Sequence, residues 1–83
     1  MNDVTLKYIV KLLEGRAIRI DYTNWKGYRR KRMIVPLFMD WGANKYHPQD
    51  QWLLNALDGE DMEIKTFSMK NIHSWEIVKN EQG

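Results

Sequence analysis

From Ala17 the chain alternates in polarity with a period of two. Ile18, Ile20 and Tyr22 fall on one side, and Arg19, Asp21 and Thr23 on the other. That is the pattern of a half-buried strand. Asn24-Trp25-Lys26-Gly27 then reads as a turn, with Gly27 free to take a positive φ. Tyr28 to Leu37 reads as the return strand, and Pro36 should end its ladder or sit at an edge. Asp40 to Asp50 reads as a loop, and Gln51 to Leu57 as a third strand. Asp58-Gly59-Glu60-Asp61 is a turn before a fourth strand, Met62 to Met69. Lys70-Asn71-Ile72 suits one 3₁₀ turn, Ser74 to Val78 a fifth short strand, and the polar tail 79–83 should fray.

The residues before Ala17 follow another period. Asn2 or Asp3 can cap a helix over about residues 3–14, and Gly15 can end it. Lys7, Lys11 and Glu14 form its polar stripe; Val4, Tyr8 and Leu12 form an apolar row that Ile9 and Leu13 broaden. Leu6 and Val10 carry the apolar surface further round than one sheet contact needs. Such a helix could lie across a barrel end and also meet a second copy or another protein. The whole reads as one mainly β domain: a helix, then a small, partly open five-stranded barrel of the Sm or SH3 type over about residues 16–78.

Size and charge narrow the classes. The chain has 83 residues, so it forms a single domain that needs an efficient core. Four Trp, four Tyr and two Phe can supply that core. With no Cys there is neither a disulfide framework nor a thiolate metal site. No apolar run approaches the length of a membrane span and no signal segment stands at Met1, so the expected setting is the cytoplasm without membrane contact. The net charge of +2 argues against a general nucleic-acid coater, but it hides a division. Residues 1–45 hold ten basic and four acidic side chains; residues 46–83 hold three and seven. The basic half could meet an anion.

Ile18 to Asn24, Lys26-Gly27 and Arg32-Met33-Ile34-Val35-Pro36 resemble the opening hairpin of the WYL domain. His47-Pro48, Trp52-Leu53-Leu54, Lys65-Thr66-Phe67 and Ile72 resemble its second half. Within this pattern Tyr22, Pro36, Trp52, Leu54 and Phe67 form the core of the motif. The resemblance implies a Sm-like barrel found in bacteria and their phages, often fused to a DNA-binding helix-turn-helix and acting as a ligand sensor in regulation. It implies an anionic ligand, a nucleotide or single-stranded nucleic acid. Leu53 stands where the family has Tyr, which removes a hydroxyl and a stacking face. Lys65 stands where it has Arg, which keeps the charge and loses the bidentate fork. No helix-turn-helix accompanies the pattern, so the chain looks like a minimal, free-standing relative.

The candidate ligand residues are Arg30, Arg32, His47, Gln51, Leu53 and Lys65. In the run Tyr28-Arg29-Arg30-Lys31-Arg32, Arg30 and Arg32 share one strand face and Arg29 and Lys31 the other. The run is either a charge-protected edge or a phosphate contact. Arg32 shares its face with Ile34, and a partly buried Arg needs an anionic partner. Gln51, Leu53 and Asn55 face away from Trp52 and Leu54 and either line a groove or meet solvent. Trp25, Tyr28 and Trp41 could stack on bases, close the barrel end or pack on the helix; Tyr46 poses the same choice. His47 and His73 without Cys are a poor metal set, and no nucleophile with a base or Gly-rich phosphate loop stands out. The expectation is a binding module without a metal, cofactor or catalysis. The alternative is a protein-interaction module, with the Arg29–Arg32 run meeting Asp58, Glu60 and Asp61 of another chain.

Overall fold

The computed structural model describes residues 14–78. The helix expected over about residues 3–14, and its docking role, lie outside the described residues, as does the tail 79–83. A short 3₁₀ turn, Glu14–Arg16, leads into β1 (Ile18–Thr23), β2 (Arg29–Gly42), β3 (Gln51–Asp58), β4 (Ile64–Ser68) and β5 (Ile72–Ile77). A second 3₁₀ turn, Met69–Asn71, joins β4 to β5. The strands form one antiparallel sheet in the order β4-β3-β2-β1-β5, and it does not close. Among the described residues no helix is long and apolar enough to cross a membrane.

The alternation in β1 explains the core. Ile20 and Tyr22 are buried with Ile34, Leu54, Ala56 and Phe67. Phe67 meets Tyr22 edge-on at 5.0 Å between ring centroids, and the Tyr22 hydroxyl accepts the backbone N–H of Ser68 at 3.0 Å. A second, smaller cluster joins Ala17, Val35 and Leu57. Among the described residues β4 and β5 are the outer strands of the open sheet. Trp75 stands opposite the buried Ile20, yet it is exposed.

β2 is longer than its sequence suggests. Pro36 does not end it; the strand runs on to Gly42. The pairing with β1 finishes at Ile34, so the missing N–H of Pro36 removes no bond on that side. The register against β3 shifts between Pro36 and Phe38, a bulge that lets the strand bend and continue. This extension carries Trp41 beyond the core, where it pairs with Trp52 at 5.5 Å in an edge-on contact. Trp52 therefore shares the core-facing side of β3 with Leu54 but is 52% exposed, which corrects its expected place in the core.

Candidate functional site

Two asparagines build the walls of the main cleft. In the β1–β2 turn the Asn24 side-chain carbonyl accepts the N–H groups of Lys26 (2.9 Å) and Tyr28 (3.0 Å). Gly27 closes that turn at φ +89°, a region that favours glycine. In the β2–β3 loop the Asn44 carbonyl oxygen of the side chain accepts the N–H of Tyr46 (2.9 Å) and of His47 (2.8 Å). The backbone of Asn44 and His47 adds a reciprocal pair of bonds. Both are Asx-type turns, in which the side chain stands in for a backbone acceptor. Each aims one aromatic ring at the other, and Trp25 meets Tyr46 with ring centroids 5.3 Å apart. Lys26 lies over the Trp25 ring at 5.3 Å and Lys45 over the Tyr46 ring at 4.9 Å.

Below this pair opens a cleft of about 610 Å³. Its lining includes three cations (Arg32, Lys45 and Lys65) and four aromatic rings (Tyr22, Trp25, Tyr46 and Phe67), with no carboxylate among the lining residues. The volume is in the usual range for a small-molecule pocket. His47 completes the wall. Burial, and then the nearby Lys70 charge, hold its imidazole below the ordinary value, so it is neutral at neutral pH.

Arg32 is held inside. Its side chain is 16% exposed and its guanidinium lies over the Phe67 ring at 5.6 Å. A terminal nitrogen stands 3.7 Å from the fully buried Asp58 carboxylate, beyond hydrogen-bond range, and its Nε meets no acceptor among the described residues. Lys65 donates to the same Asp58 oxygen at 3.2 Å and also to Asp61. The hydrogen bond to Asp61, opposed in part by burial, raises the Lys65 pKa above its ordinary value. Asp58 also accepts the Glu60 N–H at 2.9 Å, which fixes its carboxylate behind the two cations. An anchored carboxylate thus orients two positive groups towards a cleft with no negative one.

The structure brings together Trp25, Arg32, His47 and Lys65, with Tyr22 and Phe67 beneath them. It separates the other candidates. Arg30 does not line the cleft; it makes a two-pronged pair with Glu60 at 2.8 and 3.0 Å. Leu53 is in the lining of neither this cleft nor its smaller neighbour; it is buried in β3, an inner strand that also packs against the second 3₁₀ turn. Tyr28 is exposed outside the cleft, and Trp41 sits with Trp52 on the β2–β3 extension. Gln51 lines a smaller neighbouring cleft and bonds the Ser68 hydroxyl. Three residues of the Arg29–Arg32 run pair within the chain: Arg29 with Asp21 at 2.9 Å, Arg30 with Glu60 and Arg32 with Asp58. Asp58 and Glu60 therefore have partners at home.

Sequence reasoning missed Lys45, Asn44 and the ordering role of Asp58. Asn44 carried a usable signal, since Asn at the head of a Pro-containing loop favours an Asx turn. Asp58 carried none, because its burial depends on the β3–β4 register. No protein-family model matches the chain, and no curated protein is similar to it.

Proposed function

We propose that this chain is a ligand-binding module of the WYL type whose cleft takes an anionic ligand with a planar base, a nucleotide or single-stranded nucleic acid. One observation carries the reading: a cleft with three cations, four aromatic rings and no carboxylate in its lining. The cations suit phosphate, and the rings suit a stacked base. Arg32 supports it further, since its side chain is mostly buried and its Nε meets no acceptor among the described residues. The module would serve as the sensing part of a regulator in a bacterium or phage, as the resemblance to WYL domains implies.

Calorimetric titration with nucleoside mono-, di- and triphosphates and with short single strands at low salt tests this. Saturable binding that weakens as salt rises is expected. Absence of heat with every ligand at low salt overturns the reading. A second reading, a protein-interaction module, is favoured by the exposed apolar side chains Phe38, Met39, Trp41 and Trp52 on the β2–β3 extension. It predicts a dimer in light scattering that Trp52→Ser converts to a monomer; a monomer at every concentration removes it.

A further inference from the structure

The main cleft is not alone. A second one of about 340 Å³ lies against it, and Asn24, Trp25, Tyr46 and His47 belong to the lining of both. The Trp25–Tyr46 pair therefore belongs to the shared wall of two adjoining lobes. The second lobe has its own cation, Lys70 on the 3₁₀ turn, and its lining contains no Asp or Glu. It also has the side chains of Gln49 and Asn71, and amides of this kind can meet the donor and acceptor edge of a base. Gln51 contributes less, because its own amide is taken by Ser68 and by the Gln49 carbonyl. Each lobe thus repeats the same three elements: a positive group, a share of the aromatic wall and a carboxylate-free lining.

We propose that the two lobes together bind two nucleotide units joined by a phosphodiester, one unit in each lobe beside the shared Trp25–Tyr46 wall. One unit sets its phosphate against Arg32 and Lys65; the other is held by Lys70. This rests on the proposed nucleotide-binding reading and adds the length of the ligand to it. A mononucleotide fills one lobe and leaves the other to water. Longer strands gain nothing after the second unit, because the site has two lobes. His47 lies in the lining of both lobes and feels the Lys70 charge, which places that cation close enough to act on the shared wall.

Calorimetry with adenosine monophosphate, linear and cyclic diadenylate, and four- and eight-nucleotide deoxyadenylate strands tests it. The dinucleotide should bind roughly tenfold or more tightly than the monophosphate, the increment of one further stacked base. Per binding site, the affinity should then level off for the longer strands. In Lys70→Ala the ratio of dinucleotide to monophosphate affinity should collapse towards one, and Lys70→Arg should restore it. Tight cyclic diadenylate supports a free dinucleotide as the source, whereas binding of linear forms alone supports the end of a strand. Equal affinity for monophosphate and dinucleotide overturns the two-unit site and leaves the nucleotide reading standing. A steady rise with each added nucleotide, or an unchanged ratio in Lys70→Ala, overturns it as well. Failure of every ligand, the monophosphate included, overturns the underlying reading instead.

Discussion

Arg32 gains its character from what it lacks. Arg29 and Arg30 each grip a carboxylate with two hydrogen bonds at the surface, while Arg32 reaches Asp58 only at 3.7 Å. A guanidinium in a partly buried setting whose Nε meets no acceptor among the described residues is poised to donate to the oxyanions of a ligand. Arg32→Gln keeps two donors and removes the charge, so nucleotide affinity should fall about tenfold to a hundredfold, the worth of a charge-assisted hydrogen bond. Circular dichroism on the same sample checks that the fold is intact. Asp58 has the opposite dependence, because its loss leaves two cations facing each other in a sheltered site. Asp58→Ala should destabilise the fold by about 3 kcal/mol, the scale of breaking a buried pair, somewhat reduced because Lys65 reaches solvent. Urea unfolding measures it. Stability unchanged within about 0.5 kcal/mol would show that Asp58 is not the counter-charge on which the site depends.

At the scale of elements, the site is made by two turns that the sequence presents unequally. Asn24-Trp25-Lys26-Gly27 was legible because Gly27 punctuates a period-two pattern, and the structure needs that glycine at φ +89°. Gly27→Ala should therefore cost about 1 kcal/mol in thermal unfolding, since an L-residue there is strained. The Asn44 turn was not legible as a wall of the site. Composition marks Asp40 to Asp50 as loop, but β2 runs on past the bulge after Pro36 to Gly42, and that sets where the loop begins and so where Tyr46 points. The length of β2 was hidden for the same reason: proline signals a ladder's end unless the neighbouring strand has already stopped. Arg32, His47 and Lys65 were legible as separate residues through a family pattern. Their shared cleft depends on cross-strand registers between distant segments, which no local periodicity encodes. Asn44→Ala removes the acceptor of two N–H groups and should cost about 1 kcal/mol. It should also weaken nucleotide binding several-fold by freeing Tyr46. Calorimetry with the variant reads both effects, and unchanged affinity would mean that Tyr46 does not stack on the ligand.

Over the whole molecule, the division into a basic first half and an acidic second half is largely resolved by pairing. Arg19 meets Glu76, Arg30 meets Glu60 and Arg32 meets Asp58, each bridging the two halves. These contacts have a consequence for acid stability. Hydrogen bonding to Arg29 holds the Asp21 carboxyl below its ordinary value of 3.8, and Lys65 does the same for Asp61. A carboxyl lowered in the folded state adds stability above its unfolded pKa, and that stability is lost as pH falls through the folded pKa. His47 acts earlier on the way down. Its folded pKa is below the ordinary 6.5, so the unfolded chain takes up the proton first and stability declines as pH drops beneath that value. The melting temperature should accordingly fall in two stages, a first below about pH 6.5 and a second below about pH 3.8. His47→Gln should remove the first stage and keep the second. Bound phosphate in either lobe should raise the His47 pKa by its negative charge, bringing it closer to the unfolded value and so shrinking the first stage in the presence of nucleotide, while raising the melting temperature throughout. Proton NMR of the His47 ring with and without nucleotide follows that shift directly. A ring that titrates at the same pH in both samples would place the phosphates away from the Trp25–Tyr46 wall.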